Sequence, residues 1–218
     1  MDRLNTYDDC RLEHFTDLDD YKTRVEYLKG ENIFKQGAFA PYVIYVVRGL
    51  VKVYLQTGFD KQINIAIAKP GDFLAFSSIF GENVHTYSTQ ALTSAEICMI
   101  EKESLKQILL DHPEFALQVT SKNYRKEKHL LEIIKNISYK QMRGKLASAL
   151  LYLSHEDFLN EDIFNYLTRQ DLADFASIST ESAIKFLKEF EKEGMIKLSG
   201  KNIEITNARK LTHISKNG

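Results

Sequence analysis

The chain of 218 residues contains no tryptophan, three prolines and only two cysteines. The cysteines, Cys10 and Cys98, lie far apart and outside any C-x-x-C pattern. This argues against a zinc site, a disulfide framework and an iron–sulfur cluster, because a cluster held by one chain normally needs about four cysteines. We therefore expect no metal site and a reducing compartment.

Long apolar runs are also absent. No window approaches the ~20 apolar residues that a membrane span needs, and the first twenty residues are acidic and lack the apolar core of a secretory signal. We expect a cytoplasmic chain without a membrane partner. Because Ser/His/Asp constellations, metal-ligand clusters, phosphate-binding glycine loops and suitably placed carboxylate pairs are lacking as well, we do not expect an enzyme.

Charge is unevenly distributed, although the formal net charge is only −1. Residues 1–119 carry 12 basic and 17 acidic side chains, residues 120–147 carry 8 and 2, and residues 168–218 carry 9 and 7. The N-terminal segment is acidic, whereas the central and C-terminal segments are basic. This suggests that only part of the molecule faces a polyanion. A solvated charged helix explains the pattern equally well.

Between residues 27 and 99, short runs rich in Val, Ile and Tyr alternate with glycine turns. Residues 42–55 and 62–68 match strands, and in the second run isoleucines alternate with Asn64 and Ala66. Many short strands, each followed by a turn, predict an antiparallel roll or barrel rather than a βαβ fold.

After Glu103 the glycines disappear until Gly144, and the apolar period changes from two towards 3.6, which predicts helices. A short helix over 104–110 precedes a longer one from Pro113 to about residue 136, and another follows over 139–153. Five residues of the longer helix fall close to a heptad seam and are candidate dimer contacts, namely Leu117, Thr120, Tyr124, Leu131 and Ile134. Packing within one chain explains this stripe equally well.

The segment from Thr168 to Thr206 has the order of a helix-turn-helix followed by a hairpin. Thr168 is a good N-cap, residues 177–179 form a small turn, and Ser179 or Thr180 caps a second helix. That helix exposes five side chains that can face the major groove of DNA: Thr180, Glu181, Ile184, Lys185 and Lys188. Strands over 195–198 and 202–206 predict a wing in which Lys201 can contact a phosphate. The alternative is an ordinary helical pair in a protein-interaction domain.

Over nearly its whole length the sequence resembles the CRP/FNR superfamily of cyclic-AMP-receptor-like transcription regulators. TRQDLA at 168–173 resembles the family's T-R-x-[DE]-[IL]-[AG] opening of the helix-turn-helix, and STES at 179–182 with Lys185 follows its S-x-E-[ST]-x-x-[RK] recognition helix. In the front half, GENIFKQG at 30–37, YVVRG at 45–49 and PGDF at 70–73 match the family's β-roll.

The resemblance implies an α+β chain with three parts. An N-terminal antiparallel β-roll, like the jelly roll of cyclic-nucleotide-binding domains, occupies residues 1–112 with its flanking helices. A long dimerisation helix and hinge occupy 113–137, and a C-terminal winged helix-turn-helix occupies 138–218. The family implies a bacterial homodimer that binds double-stranded DNA, with RNA polymerase as a further partner if it is an activator.

Carried over by position, base reading falls on Thr180, Glu181 and Lys185, with Ile184 at a position that some members also use. Roles in holding phosphates or orienting the helix fall on Thr168, Arg169, Gln170, Ser179, Ser182, Lys188 and Lys201. Members commonly have arginine at the position of Lys185. Lysine lacks the bidentate fork, so we expect a softer guanine preference.

The sensory part departs from the family's cyclic-nucleotide cassette, roughly G-E-[LI]-[AGS] followed about ten residues later by R-[ST]. Phe76 occupies the place of the acid, and no arginine occurs between Arg48 and Arg125. The carboxylate for the ribose and the guanidinium for the cyclic phosphate are therefore missing. We expect that cyclic AMP does not bind tightly, and the effector is left unassigned.

Aromatic residues offer candidates for an effector pocket that takes a small hydrophobic ligand or heme: Phe73, Phe76, Phe80, Tyr87 and Tyr124. Ordinary core and interface packing is the simpler interpretation of the same side chains. Four histidines are candidate heme ligands with an equally ordinary alternative: His14, His85, His112 and His129. A ligand-binding module that controls a partner protein remains the alternative to a DNA-binding regulator.

Overall fold

The structure is a computed structural model that describes residues 22–59, 61–155, 158 and 161–217. Cys10 and His14 lie outside the described residues. The chain forms two compact units, one comprising Met1–Asp60 with Ala66–His129, the other Lys61–Ile65 with Leu130–Gly218. Strand β5, named below, thus contributes its first residues to the second unit and its last residues to the first.

Two four-stranded sheets form the β-roll, with strand orders β1-β8-β3-β6 and β2-β7-β4-β5. The registers of β1 with β8, β3 with β8 and β4 with β7 are antiparallel, which confirms the predicted antiparallel roll. The strands are β1 (Lys22–Tyr27), β2 (Asn32–Phe34), β3 (Tyr42–Arg48), β4 (Val51–Gly58), β5 (Lys61–Ala68), β6 (Phe73–Leu74), β7 (Ser88–Ala91) and β8 (Ala95–Glu101).

The turn between β3 and β4 depends on Gly49, which has a φ of +87°. A Cβ at this position would lie 2.4 Å from the carbonyl oxygen of Ser94. Only glycine combines this backbone conformation with so close an approach. This turn, one of the glycine turns predicted between residues 27 and 99, is therefore required by the packing of the roll.

The core of the first unit joins the sheets to two helices, α1 (Lys102–Asp111) and α2 (Pro113–Tyr139). Leu105 and Ile108 of α1 and Phe115 and Val119 of α2 pack with buried residues of β3 and β8. The heavily apolar β3 supplies Val43 and Tyr45 to this core, so these four helix residues are buried against the sheet. A short 3-10 helix, Phe76–Phe80, follows β6.

Helix α2 is longer than predicted. It continues to Tyr139, so the boundary predicted near residues 136–138 falls within a helix, and the expected helix start at Tyr139 is wrong. No Pro or Gly interrupts the chain between Pro113 and Tyr139, so nothing local ends the hydrogen-bond ladder earlier. The next helix, α3, begins at Met142 and ends at Leu153.

The second unit is built around α3, whose Leu146, Leu150 and Leu153 are fully buried. It continues through a 3-10 helix (Ile163–Asn165), α4 (Arg169–Ala176), α5 (Thr180–Lys192), β9 (Ile196–Ser199), β10 (Asn202–Ile205) and α6 (Ala208–Asn217). Helix α6 packs on α3 and was not predicted from the sequence.

No helix among the described residues is long and apolar enough to cross a lipid bilayer. In the same part of the chain, no group of three or more His, Cys, Asp or Glu side chains is arranged to hold a metal ion.

Candidate nucleic-acid interface

Helix α4 begins with a capping box, as the sequence predicts. The hydroxyl of Thr168 accepts a hydrogen bond from the backbone N–H of Asp171 at 3.0 Å, and Oδ2 of Asp171 accepts from the backbone N–H of Thr168 at 2.9 Å. Two otherwise unpaired amide donors are satisfied reciprocally, which fixes the residue at which the helix begins.

A tight turn connects α4 to α5. Ser177 adopts a left-handed conformation with φ of 52°, which ends α4, and Ser179 is the N-cap of α5. The Ser179 hydroxyl accepts from the backbone N–H of Ser182 at 3.2 Å. This contact confirms the cap predicted at Ser179 and gives Ser182 a local role at the start of the helix.

Helix α5 is strongly two-sided. Ala183, Leu187 and Phe190 are buried, with at most 1% of their surface exposed. The other face presents the predicted base-reading residues together: Glu181, Ile184, Lys185 and the neighbouring Lys188 are exposed, and Thr180 is half-buried. Among the described residues, this face lies outside the apolar core, so it has the form that a helix needs in order to enter a groove.

The carboxylate of Glu181 is held at the amino end of α5. Hydrogen bonds from its own backbone N–H and from the Ser179 hydroxyl lower the pKa of Glu181 below its ordinary value. The charge is also favoured by the helix dipole. Glu181 therefore stays ionised at neutral pH and is an obligate acceptor for donors on base edges.

Strands β9 and β10 form the predicted wing, with Ser199 paired to Asn202 across the Gly200-Lys201 turn. The guanidinium of Arg169 donates from Nη2 to the carbonyl oxygen of Gly200 at 2.8 Å and from Nη1 to that of Lys201 at 3.4 Å. Burial lowers the pKa of Arg169. Arg169 thus connects the start of α4 to the wing, while the Lys201 side chain stays exposed.

Gln170 and Thr180 contact each other. Oε1 of Gln170 accepts from the Thr180 hydroxyl, and Nε2 of Gln170 donates to Oδ1 of Asp174 at 2.7 Å. Sequence reasoning assigned Gln170 a positioning role but did not find Asp174. A buried acid in a short helix carries little local sequence signal, because one of its partners, Gln62, lies 112 positions away.

Two family models match the chain, one in its N-terminal half and one in its C-terminal half. A cyclic nucleotide-binding domain matches residues 24–112 and a Crp-like helix-turn-helix domain matches residues 144–214. Together they cover more than two thirds of the chain. The chain belongs to the CRP/FNR superfamily. Members of this superfamily are transcription regulators with a helix-turn-helix DNA-binding domain, not enzymes.

Curated relatives span most of the chain at low identity. A CRP-like cAMP-activated global transcriptional regulator of Mycobacterium tuberculosis is 22% identical over 86% of this chain and 85% of its own length. A fumarate and nitrate reduction regulatory protein of Vibrio cholerae is 24% identical over 96% of this chain and 84% of its own length.

A solved CRP/FNR structure, FixK2 from Bradyrhizobium japonicum, is similar in fold. It superposes with a TM-score of 0.76 at 20% identity and covers 88% of this chain and 96% of its own. At this level of identity the likeness supports the shared architecture and says nothing about the ligand.

The candidate dimer residues of this CRP/FNR chain share an exposed stripe on α2. Leu117, Tyr124, Leu131 and Ile134 each expose between 61% and 69% of their surface, and Thr120 is exposed too. The opposite face of the first turns is buried through Phe115 and Val119. In the part of the chain that the structure describes, these side chains are mostly exposed and lie outside the core.

The candidate pocket residues do not form one cluster. Phe73 and Phe76 lie 5.9 Å apart between ring centroids, and Phe76 and Phe80 6.1 Å apart. Phe80 and Tyr124 are exposed, at 79% and 69%. Tyr87 lies against Phe34 instead, at 5.5 Å.

The hydroxyl of Tyr87 accepts from the backbone N–H of Ala75 at 2.7 Å. Burial raises the pKa of Tyr87 to about 12. The phenol is therefore neutral throughout the physiological range. Its oxygen accepts the backbone N–H of Ala75, which lies in the segment that corresponds to the family's cassette.

His85, one of the candidate heme ligands, is buried and stacks on Phe34 at 3.8 Å with an interplanar angle of 12°. Its Nδ1 has no hydrogen-bond partner among the described residues. Burial, and then the charge of Lys102, lower the pKa of His85. The ring is thus neutral at neutral pH and packs as an aromatic side chain.

Two lysines of α2 converge on Asp72, a contact that sequence reasoning missed. Nζ of Lys122 and Nζ of Lys126 each lie 3.4 Å from Oδ1 of Asp72, which is 5% exposed. They also donate to the carbonyl oxygens of Gly71 at 2.8 Å and Phe73 at 3.1 Å. Burial lowers the pKa of Lys126, and the Asp72 charge opposes that shift.

Proposed function

We propose that the protein is a cytoplasmic homodimer that reads a near-palindromic operator through α5. The exposed face of α5, with Glu181 and Lys185 directed away from a fully buried apolar face, carries this proposal. A carboxylate can accept from cytosine N4, and an ammonium can donate to guanine O6 and N7. Ile184 lies between them in sequence and can contact a thymine methyl group.

The dimer is supported by the exposed stripe on α2. A heptad-spaced row of large apolar side chains on one helix is costly to leave in water and is typical of a parallel helix pair. Two copies joined in this way would place their α5 helices about 34 Å apart, one turn of B-DNA, so the operator would be near-palindromic.

Phosphate contacts supply the remaining affinity. Lys188 and Lys201 are exposed near the proposed groove-facing surface, and the amide of Gln170 lies in the first turn of α4. Helix amino ends and short polar side chains are common phosphate donors. Binding should therefore weaken steeply as salt rises.

Cyclic AMP is not the effector in this proposal. Phe76 stands where the ribose-binding acid is expected, and the N–H of Ala75 is already donated to Tyr87. No arginine occurs between Arg48 and Arg125, so the guanidinium that the cyclic phosphate needs in the family's cassette is missing. If the regulator activates transcription, RNA polymerase is its further partner.

Selection of bound duplexes from a random library tests the proposal. The purified full-length protein at moderate salt should enrich two half-sites related by a dyad, with centres about one helical turn apart. Enrichment of a single unpaired half-site would contradict the dimeric mode. A protein that ignores duplexes of every sequence at low ionic strength would instead support a module that controls a partner protein.

The claim about cyclic AMP has its own test. Adding 1 mM cyclic AMP, roughly a thousandfold above a micromolar dissociation constant, would raise a tight binder's stability by about 4 kcal/mol. We expect no change in the midpoint of thermal unfolding and no change in duplex affinity. A shift of several degrees would overturn this part of the proposal.

A further inference from the structure

Asp174 of α4 is a buried carboxylate that joins two glutamines. It is 6% exposed. Its Oδ2 accepts from Nε2 of Gln62 at 2.7 Å, and its Oδ1 accepts from Nε2 of Gln170, also at 2.7 Å. Gln62 belongs to β5, but residues 61–65 of that strand are part of the second unit, so both contacts lie within this unit.

The start of β5 is held to α4 at a second point. Asn64 is fully buried, and its Nδ2 donates to the backbone carbonyl oxygen of Asp171 at 3.1 Å. Nε2 of Gln62 also approaches Oδ1 of Asn64 at 3.4 Å. A buried amide that is satisfied in this way fixes the position of its strand, because leaving it without a partner is costly.

The network ends at the first residue of α5. Gln170 uses Nε2 on Asp174, so its Oε1 faces Thr180 and accepts the hydrogen of the Thr180 hydroxyl. The Asp174 carboxyl oxygens accept from both glutamine Nε2 atoms, and the two ends of a glutamine amide differ in kind. Asp174 therefore determines which end of Gln170 faces Thr180.

This orientation fixes the hydrogen-bonding character of Thr180. A hydroxyl has one donor hydrogen and two acceptor lone pairs. With the hydrogen committed to Gln170, only lone pairs remain for a base edge. In the major groove the exocyclic amino groups of adenine and cytosine are donors, whereas N7 of adenine, O6 and N7 of guanine and O4 of thymine are acceptors.

We propose that Asp174 and Gln62 are positioning residues that make Thr180 a reader of an exocyclic amino group, so that one operator position prefers adenine or cytosine. The inference rests on the proposed function, in which Thr180 faces a base. It adds the chemical class of the base contact and two residues outside α5 that determine it.

Asp174→Asn is the informative substitution. It preserves size but offers Gln170 an amide, which can accept or donate, so the Gln170 amide is free to flip. A flipped Gln170 would donate to Thr180, whose hydroxyl could then donate to an acceptor on the base. We expect the preference for adenine or cytosine at the Thr180 position to fall about fivefold, the equivalent of one neutral hydrogen bond, with guanine and thymine gaining.

Gln62→Ala provides a second variant, because Gln62 is half-buried and lies outside the helix-turn-helix. It leaves the Gln170 contact in place and removes one anchor of the carboxylate, so a smaller relaxation at the same position is expected. Gln56→Ala is the matched control, since Gln56 lies on β4, is exposed, and donates to the carbonyl of Gly58. It should leave every base preference unchanged.

Thr180→Val identifies the position. Valine is nearly isosteric and lacks the hydroxyl, so the position whose preference it abolishes is the one that Thr180 reads. Base preferences of the four variants and the wild type would be measured by selection from the same randomised duplex pool, with circular dichroism as a check on folding. A merely structural role would lower affinity for all sequences and leave the ratio of bases at this position unchanged.

Three results would overturn the inference. One is a wild-type preference for guanine or thymine at the Thr180 position. Another is an unchanged preference there in both Asp174→Asn and Gln62→Ala. The third is a Thr180→Val variant that alters no position while the wild type still selects an operator. Failure of the proposed function looks different, because the wild type would then show no preference at any position.

Discussion

Arg169 donates from Nη2 to the carbonyl oxygen of Gly200 at 2.8 Å, across 31 positions of sequence. The guanidinium of a residue at the start of α4 thereby holds the turn of the wing. The family resemblance assigns Arg169 to phosphate binding or helix orientation, and the contact favours orientation through the wing.

Arg169→Ala should remove the hydrogen bonds that hold the turn of the wing, and with them the contribution of Lys201 to duplex affinity. We expect about 1 kcal/mol of lost affinity for specific and scrambled duplexes alike, because no base contact is removed. Fluorescence anisotropy titrations would measure this loss. In a Lys201→Ala background the same change should have little further effect. Fully additive losses would show instead that Arg169 contacts a phosphate independently.

Glu181→Ala should reduce discrimination at one base pair by about 1 to 3 kcal/mol, because it removes the ionised acceptor at the amino end of α5. It should also strengthen binding to scrambled duplex, since a negative charge near the phosphates is lost. Glu204→Ala, which removes an exposed acid from the wing strand β10, is the matched control. Equal discrimination by Glu181→Ala and wild type would refute base reading by this residue.

Leu131→Lys should convert the dimer to a monomer, because it places a charge in the exposed stripe of α2. Sedimentation velocity would give the mass directly, and affinity for the full operator should fall to that of a half-site. Leu110→Lys alters an equally exposed leucine on α1, outside the stripe, and should remain dimeric. If both variants sediment as the wild type does, the interface lies elsewhere.

Asp72→Asn should destabilise the first unit by about 2 kcal/mol, since two lysine ammonium groups lose their shared counter-charge. This loss in the free energy of unfolding is smaller than that for a fully buried ion pair, because the Lys126 side chain is 37% exposed. Urea unfolding at pH 7 would measure the loss. Asp111→Asn, in an exposed contact with Gln107, should change stability little. A variant as stable as the wild type would mean that hydrogen bonds to Gly71 and Phe73 suffice.

Stability should fall between pH 10 and pH 12 in part through Tyr87. Its phenol ionises near pH 10 in the unfolded chain and at about 12 in the folded protein, so the folded form is favoured fully below pH 10 and loses this advantage as pH rises to 12. The difference between these two pKa values corresponds to about 2.7 kcal/mol at most. Tyr87→Phe should unfold with a weaker dependence on pH over this interval, measured by urea titrations at pH 9 and 11.5. Identical dependence in both proteins would exclude Tyr87 as the source.

Much of the candidate site could be predicted from the sequence because it depends on neighbouring residues. The caps at Thr168 and Ser179 are satisfied by amides three positions away, and the two-residue turn of the wing needs only a glycine at its centre. The apolar period of α5 determines which side faces the core, and the opposite side follows from it.

Neighbouring residues predicted the ends of helices less well where no proline or glycine marks the end. No proline or glycine separates α2 from α3, so the predicted end of α2 and the predicted start of α3 depended on a change in apolar pattern, and both were placed too early. In the sensory roll, the aromatic residues were candidates for an effector pocket, with ordinary core and interface packing as the simpler interpretation. Burial separates those residues, because the exposed Phe80 and Tyr124 and the Phe34-bound Tyr87 have different neighbours.

The sequence by itself determined the order of the strands and helices, the caps, and the face of α5 that is left for DNA, since these depend on contacts within a few residues. Only the tertiary structure decided that Gln62 reaches Asp174 across 112 positions, that Arg169 holds the wing, and that Lys122 and Lys126 share Asp72. Such contacts join polar groups from distant segments. Their partners are selected by packing and by the cost of burying an unpaired polar group, which no local pattern records.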